Sequence, residues 1–435
     1  MVKLHRFFFY LLIIFLPTQL GLHLWPQWAS ILGRRVDYLS PTVYFTDILI
    51  FLTLGSWITS SSFWLVQNLK RMLDKTSMTK QSLPTIYKLF FVIGLLVFGN
   101  ILVATNKSIA LFHWLKFLEF VLLGYYIIRT KPSLSLIMCL LSLAVFYSSL
   151  IAIVQFFLQH AIGGPLWFLG ERTFTNQTPG IAQINWCFPT LSQCRLLLRP
   201  YATFPHPNVL GGYIAVTLPL AIYQLSNLPI IQFTNKKITR LFFSITILLG
   251  IIALALTFSR SAWIVGLLGI GWALFKFKSK NFILFLLIVF LLGVILVKNF
   301  DPMSESVVVR QQLNSAAITM WQHSPLFGVG LGNFLVELPK NLPSRTIYFL
   351  QPVHNIYLLI LAETGLVGLV AFFFLLWHVF RRVHWTFGIG HWAFFSLLLL
   401  GLVDHYLLTL QQGQLLFTLF LSLSLLRKFD PARRD

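Results

Sequence analysis

Apolar segments recur from one end of the chain to the other, separated mostly by short polar stretches. Each runs for about 15 to 25 residues, which is the length at which a helix crosses the hydrocarbon core of a bilayer. The pattern predicts an all-α polytopic membrane protein, a single integral membrane domain over residues 1–435, with about twelve transmembrane helices. The expected helix cores are residues 7–25, 45–65, 88–104, 113–128, 134–158, 208–225, 241–257, 261–275, 282–298, 355–378, 391–409 and 413–426.

Two longer polar segments, residues 161–206 and 299–353, interrupt this rhythm and are too long to be simple connectors. Both are expected on the outer face, where function should be sought. The first is rich in Gly, Pro, Thr and Asn and predicts irregular structure. In the second, Asp301-Pro302 can start a helix whose apolar positions 309, 313, 316, 317 and 320 share one side. This amphipathic helix either lies on the outer leaflet or closes the outer opening of the bundle.

Composition agrees with a membrane protein, since 57% of the residues are hydrophobic and only 10% are charged. A water-soluble domain of this length could not cover its surface with so few charged groups. The formal net charge of +21 suggests nucleic-acid binding at first. Most Lys and Arg residues, however, fall on one side of the membrane if the N-terminus is cytoplasmic. The charge therefore predicts orientation, with both termini in the cytoplasm, and argues against a nucleic-acid partner.

Cysteine usage leaves one question open. Cys139 lies within a predicted helix, whereas Cys187 and Cys194 share the first long loop. Only that pair would meet an oxidising compartment, either as a disulfide or as two free thiols.

One histidine stands at the mouth of a predicted transmembrane helix. Pro352 cannot extend a helix backwards, Asn355 can cap one, and the apolar run from Ile356 to Trp377 is long enough to span. His354 is therefore expected where water meets lipid. The peptide dipoles of the following helix disfavour an imidazolium at its start, so a neutral ring able to accept a proton is expected at pH 7.

The few arginines of the outer face are the other candidate groups. Arg260 falls at a tight turn between two apolar segments, and Arg310 falls near the start of the amphipathic helix. Charged side chains at membrane depth generally line cavities or meet a partner. The alternative for Arg260 is contact with lipid phosphates or a pairing with Glu171, Asp301, Glu305 or Glu337. For Arg195 and Arg199, each taken singly, a solvated loop charge is the favoured interpretation.

Several arginines and one histidine would suit a lipid-linked pyrophosphate. Guanidinium groups match phosphate oxygens, and their fixed charge stabilises a leaving group that becomes more negative as its bond breaks. His354 could accept the proton of an attacking hydroxyl. The predicted outer loops contain no Asp-x-Asp or Glu-x-Asp pair, which argues against a metal site of the carboxylate type and leaves dispersed ligands open.

Four stretches carry a resemblance to a known family, and they lie between residues 200 and 370. The sequence resembles the O-antigen ligase and O-antigen polymerase family, which includes related bacterial protein O-oligosaccharyltransferases. The stretches are His354-Asn355-x-x-Leu358 with Glu363-x-Gly365-x-x-Gly368, Ala202 to Asn208, Thr257 to Ala262, and Arg310 leading to Ser324 through Phe334.

The resemblance implies a C-type glycosyltransferase fold in the bacterial cytoplasmic membrane, with its active site on the outer face. It implies an undecaprenyl-pyrophosphate-linked glycan as donor, a glycan, lipid or protein acceptor, membrane lipid around the helices, inversion at the anomeric carbon, and no metal or cofactor. His354 would be catalytic or orient the acceptor, and Arg260 and Arg310 would bind the pyrophosphate. Arg199 and Asn355 are further candidates for substrate binding.

Other interpretations stay open. A polytopic transporter or lipid-linked oligosaccharide flippase is the alternative function, although the long outer loops favour an enzyme and no half-repeat is evident. Ligation, polymerisation and protein glycosylation differ in acceptor, which the sequence does not identify. Lys116 and Glu119, spaced i,i+3, are expected to pair, Asp404 is a candidate for internal pairing, and Glu363 is not expected to contact His354.

Overall fold

The computed structural model describes residues 3–73, 83–187, 194–226, 236–276, 305–342, 350–382 and 389–426. These residues are mostly helical. The helices are α1 Leu4–Ile14, α2 Phe45–Leu73, α3 Leu83–Val103, α4 Lys107–Thr130, α5 Leu134–Leu158, α6 Pro207–Ser226, α7 Lys236–Leu256, α8 Arg260–Lys276, α9 Glu305–His323, α10 Phe334–Asn341, α11 Ile356–Arg382, α12 Ile389–Gly401, α13 Tyr406–Thr409 and α14 Gln411–Ser424.

Five helices of the described chain are long and apolar enough to cross a membrane, namely α4, α5, α6, α7 and most of α11. Shorter apolar stretches lie in α1, α2, α3 and α12. The helical membrane character is therefore confirmed, and the count of about twelve spans stays a prediction. The expected helix at 282–298 lies outside the described residues.

The expected first span, residues 7–25, is wrong in its second half because α1 ends at Ile14. Pro17 lacks the backbone N–H that would continue the helix and restricts the residue before it. The chain then forms short strands, β1 Gly21–His23 paired with β4 Thr42–Tyr44 and β2 Ser30–Ile31 paired with β3 Arg34–Arg35, all antiparallel. Two 3-10 turns, Gln27–Ala29 and Asp37–Leu39, complete the segment. A third long non-helical segment therefore exists between α1 and α2.

The expected span at 391–409 is also interrupted, because α12 ends at Gly401 and the one-turn helix α13 begins only at Tyr406. Asp404 and His405 occupy the gap, and the Asp404 carboxylate accepts the backbone N–H of His405 at 2.9 Å. An aspartate that bonds its own neighbouring backbone competes with helix formation. The break places two polar side chains at one end of the bundle.

The first long loop has more regular structure than its composition predicts. It contains a 3-10 helix, Gly164–Leu169, and an antiparallel hairpin of β5 Gln183–Cys187 and β6 Cys194–Leu198. Cys187 and Cys194 are direct partners in the backbone register of that hairpin. Their side chains lie outside the described residues, so both alternatives, a disulfide and two free thiols, stay open.

Helix α9 covers most of the described part of the second loop, and its apolar side is buried by protein. Leu313, Ala316, Ala317 and Met320 are each 1% exposed and belong to one apolar cluster with residues of α10 and α11. The apolar side of α9 is therefore covered by protein and is not available to contact the outer leaflet. The contacts favour the interpretation in which this helix closes the bundle.

A break inside α11 docks the glycine-rich loop that precedes α10. Gly365 has φ +66°, and a Cβ there would lie 2.3 Å from the carbonyl of Leu326, so only glycine fits. The backbone N–H of Gly330 donates to the Glu363 carbonyl at 3.0 Å, and the Glu363 carboxylate accepts the N–H of Phe334 at 3.2 Å. Glu363 thus holds this loop by accepting these two backbone N–H groups, in agreement with the expectation that it is not a partner of His354.

The core consists of two main apolar clusters. The larger one joins α1, α2, α4 to α8, α11, α12 and α14, with α6 buried almost all round. The smaller one joins the segment after α1 to α9, α10 and the start of α11. Leu408 packs against the smaller cluster and also lies beside the larger one. A polar cavity opens where the two clusters meet.

Candidate functional site

The cavity has a volume of about 430 Å³ and is lined by six stretches of the chain. They are the segment between α1 and α2, helix α4, the turn around residues 167–172, residues 205–209 at the start of α6, residues 351–354 before α11, and residues 404–414 from the α12–α13 break to the start of α14. Its lining includes many polar side chains, which sets it apart from the apolar core around it. The main contributors are His23, Tyr38, Lys116, Arg172, His206, Asn208, His354, Asp404 and His405.

His354 lines this cavity because Asn355 starts α11 directly after it. The Asn355 side-chain oxygen accepts the backbone N–H groups of Tyr357 at 2.9 Å and Leu358 at 3.0 Å, as an N-cap does. The same side chain donates to the Leu402 carbonyl at 3.1 Å, which ties the start of α11 to the α12–α13 break. Asn355, a candidate for substrate binding, therefore fixes the position of His354.

The His354 ring is half-buried and faces His405 edge-on, with ring centroids 5.0 Å apart. Its Nδ1 atom is buried and has no hydrogen-bond partner among the described residues. Burial lowers the pKa of His354 below the ordinary value of 6.5, and repulsion from His405 lowers it further against the opposing charge of Asp404. A neutral imidazole at pH 7 follows, as the sequence predicted.

His405 is held in one tautomer by Thr409. The Thr409 hydroxyl donates to the His405 carbonyl at 3.2 Å, so it accepts from the ring Nδ1–H at 2.7 Å. The lone pair of His405 is then on Nε2. Burial is the main cause that lowers the pKa of His405 to about 3, so this ring is neutral as well.

His206 supplies the third imidazole, and the backbone fixes its tautomer too. The Asn208 N–H donates to His206 Nδ1 at 3.1 Å, which leaves the proton on Nε2. Burial, followed by the charge of Arg199, lowers the pKa of His206 to about 3. The cavity therefore contains an imidazole N–H donor near the ring of His354.

Arg199 does not line the cavity itself, but it bonds residues of two motif stretches, Ala202 to Asn208 and Thr257 to Ala262. Its Nε donates to the Thr257 carbonyl at 2.7 Å, and its Nη2 donates to Asn208 Oδ1 at 2.7 Å. Asn208 in turn donates to Asp404 Oδ2 at 3.4 Å. Burial lowers the pKa of Arg199 to about 10, so the side chain stays cationic at pH 7. Arg199 thus organises the wall of the cavity.

The two arginines expected to bind pyrophosphate occupy different positions. Arg310 on α9 is close enough for its charge to lower the pKa of both His354 and His405. In the described part of the chain, no hydrogen bond or ion pair occupies its guanidinium. Arg260 begins α8, is exposed, and does not line the cavity, although Thr257 three residues earlier accepts Arg199. The structure therefore brings Arg310 to the histidines and leaves Arg260 at the periphery.

Two cations that the sequence did not single out for substrate line the cavity directly. Arg172 is exposed and donates to the Pro205 carbonyl at 3.4 Å, next to His206. Lys116 bonds Glu119 at 3.0 Å, which confirms the expected pair, and bonds Asp47 on α2 at 2.8 Å. Lys116 is therefore neutralised by two buried carboxylates, whereas Arg172 is available to an anion.

One cluster of side chains could hold a metal ion within the described ranges. One ligand atom each from His354, Asp404 and His405 lies within 4.8 Å of the other two. These ligands are dispersed along the chain, which is the alternative that the missing Asp-x-Asp pair left open. The signal for Asp404 and His405 was present in the sequence as two polar residues inside an apolar run.

The fold and the cavity together define a polytopic helical membrane protein that gathers neutral imidazoles and cations around a polar chamber. Such a chamber can accept a proton from a hydroxyl and hold an anionic group nearby.

Residues 245–373 match the family model described as O-antigen ligase, which confirms the family resemblance. The matched residues, which are less than half of the chain, include Arg260, Arg310 and His354. No curated protein and no solved structure matches the chain.

Proposed function

We propose that this protein transfers a glycan from a polyprenyl-pyrophosphate carrier, undecaprenyl pyrophosphate in bacteria, to an acceptor hydroxyl in the cavity. The observation that carries the proposal is that His354 lies beside two further neutral imidazoles, those of His206 and His405, in a cavity that Arg172 also lines. The charge of Arg310 acts on His354 as well. The O-antigen ligase domain supports glycan transfer in general. The acceptor is the hydroxyl of a glycan, a lipid or a protein.

The reaction needs one proton acceptor and one place for negative charge. The acceptor oxygen forms a bond to the anomeric carbon while the bond from that carbon to the diphosphate oxygen breaks. The electron pair of the broken bond stays on the diphosphate, and the hydroxyl proton passes to a ring nitrogen of His354. Attack opposite the leaving group inverts the anomeric carbon. Guanidinium charge meets the leaving diphosphate, so no metal ion is required for that step.

Distinct roles follow for the cations. Arg310 has no protein partner in the described chain and lies near His354, so it is placed to meet the diphosphate as charge develops. Arg172 lines the cavity beside His206 and can meet the same group from the opposite side. Arg260, exposed at the start of α8, would contact the carrier before it enters. Arg199 is a positioning residue, because both of its hydrogen bonds in the described chain are to other protein groups.

The distribution of basic residues supports an outer location for the cavity. Helices α4 and α11 carry Arg129 and Arg381 in their last turns, away from the cavity-lining residues within α4 and before α11, and α8 ends at Lys276. Arg6 at the start of α1 meets the Thr130 carbonyl at the far end of α4. Basic ends of helices generally face the cytoplasm. We therefore propose that the cavity lies on the opposite face of the bacterial cytoplasmic membrane, with both termini inside.

The test uses the purified full-length protein in detergent with a polyprenyl-pyrophosphate glycan donor. We expect His354→Ala to reduce transfer by about 10²–10⁴-fold, as loss of a general base does. His378→Ala is the matched control, because His378 lies on the same helix, is exposed, and does not line the cavity. Equal transfer by both variants would contradict the role of His354.

Arg310→Lys and Arg260→Lys test the binding of the diphosphate. A lysine keeps the charge and loses the planar pair of donors, so we expect turnover to fall, more for Arg310 than for Arg260. Cells carrying His354→Ala should accumulate lipid-linked glycan on the outer leaflet. Accumulation on the inner leaflet would instead indicate a flippase and would overturn the transferase proposal.

A further inference from the structure

His354, Asp404 and His405 form a cluster of three potential metal ligands, whereas a general base requires only one imidazole. Its three ligand atoms lie within 4.8 Å of one another, although they come from the start of α11 and from the α12–α13 break. Asp404 and His405 are each 5% exposed, so water cannot solvate them fully. Buried groups of this kind need a partner to offset the loss of solvation.

Asp404 makes no direct ion pair in the described chain, and the nearby Arg199 reaches it only through its charge and through Asn208. Its Oδ1 atom accepts the His405 N–H at 2.9 Å, and its Oδ2 atom receives only a long bond of 3.4 Å from Asn208. The salt bridges of the described residues involve Lys116 and Lys340, neither of which reaches Asp404. A buried carboxylate with spare lone pairs and no direct ion pair is well suited to bind a metal ion.

The two imidazoles complete the ligand set. Thr409 holds the Nδ1–H of His405 and leaves the Nε2 lone pair free, which is how a metal-binding histidine is generally oriented. His354 makes no hydrogen bond within the described ranges, and its Nδ1 is buried without a partner. A bond to a metal ion would use a ring nitrogen that the protein itself leaves unused.

We propose that His354, Asp404 and His405 form a binding site for a divalent transition-metal ion, Zn²⁺ above all, whose remaining coordination position faces the cavity. Two imidazoles and one carboxylate are a common ligand set for zinc that keeps one position open. The nitrogen ligands disfavour Mg²⁺ and Ca²⁺, which take oxygen ligands. Zinc–ligand bonds of about 2.0–2.1 Å put tetrahedral ligand atoms roughly 3.4 Å apart, so small side-chain rotations close the site.

Binding would have a consequence for glycan transfer, and this part rests on the proposed function. The ion takes a lone pair of His354, so the ring can no longer accept the proton of the acceptor hydroxyl. Bound zinc therefore inhibits transfer, and removal of zinc by a chelator restores it. The site makes the enzyme sensitive to transition metals without making it dependent on them.

The binding test uses metal-free, full-length protein in detergent micelles and Zn²⁺ alone as the probe. We expect about one equivalent to bind in competition with a chromophoric chelator, and excess Mg²⁺ not to displace it. Thr409→Val should weaken binding by about 10–100-fold because Thr409 only orients a ligand, and Asp404→Asn and His405→Gln should each weaken it by more than that. His378→Ala and His160→Ala, outside the cluster, should bind as the parent does. Equal affinity of Asp404→Asn and the parent would overturn the proposal.

A measurement on the unchanged protein covers the case in which variants fail to fold. Co²⁺ in place of Zn²⁺ should give the visible absorption of a four-coordinate site, and added Zn²⁺ should remove it. A spectrum of hexa-aquo Co²⁺ only would overturn the site. Neither of these two measurements depends on glycan transfer. Zinc binding by a protein that transfers no glycan would therefore refute the proposed function and leave the metal site unaffected. Transfer that continues unchanged with zinc bound would refute only the inhibition.

Discussion

Gln155 holds the loop that carries part of the cavity wall, and its replacement by leucine tests how that loop is positioned. The side chain is 0% exposed near the end of α5. Its oxygen accepts the N–H groups of Tyr201 at 3.0 Å and Ala202 at 2.7 Å, and its nitrogen donates to Glu171 at 2.7 Å and to the Ala202 carbonyl at 3.1 Å. One amide therefore joins α5 to both ends of the loop from which Arg172 and His206 reach the cavity.

Gln155→Leu keeps a similar volume and removes all four bonds. It leaves two backbone N–H groups without an acceptor and takes one donor from the Glu171 carboxylate. Each buried group left without a partner costs about 1–3 kcal/mol, so we expect the free energy of unfolding to fall by roughly 3–6 kcal/mol. Loss of the loop position should also weaken donor binding.

The assay is unfolding of the purified protein by SDS in mixed micelles, followed by tryptophan fluorescence. Ser148→Ala is the matched control, because Ser148 is on the same helix, is 0% exposed, and its hydroxyl has no partner in the described chain. This control should change stability by less than about 1 kcal/mol. If Gln155→Leu were no less stable than Ser148→Ala, the bridge would not hold the loop.

Three further outcomes follow from the site and its supports. Because the pKa of His354 is lowered from 6.5, transfer should stay constant as the pH falls through 6.5 and decline only below it, and a pH profile with its midpoint at 6.5 or above would contradict the buried neutral ring. Gly365→Ala forces a Cβ to within 2.3 Å of backbone at φ +66° and should abolish stable expression, whereas Gly55→Ala, with nothing within 4 Å, should be tolerated. Lys116→Met leaves Asp47 and Glu119 buried without their cation and should lower stability by about 3–5 kcal/mol, measured by the same SDS titration, and an unchanged midpoint would argue against the ion-pair network.

The sequence predicted best the features that depend on a long run of one residue type. Helix α5, expected at 134–158, occupies Leu134–Leu158, because its apolar length has no competing signal. The predicted length of α1 was wrong because Pro17 stops the helix inside an apolar run. A hydropathy average does not register a single proline. The break before Tyr406 was missed for the same reason, since two polar residues, Asp404 and His405, change the mean hydropathy of the predicted span too little.

The candidate site was predictable only in part for a different reason. His354 and its cap follow from local order along the chain, and the structure shows the cap as expected. Arg172 reaches the cavity, and His405 meets His354, through long-range packing that no local pattern encodes. The role of Arg199 depends on Asn208 and on the Thr257 carbonyl, two contacts that join separate stretches of sequence. Such contacts can be seen only in three dimensions.

The early end of α1 sets how far the polar chamber penetrates the protein. Tyr147, midway along α5, bonds the carbonyl of Ile14, so the chain leaves its first helix well before α5 ends. On α4 the cavity reaches Lys116, roughly 14 Å along the axis from the first residue of that helix. In such a recess solvent screening is weak, and each fixed charge acts more strongly than it would on an exposed surface.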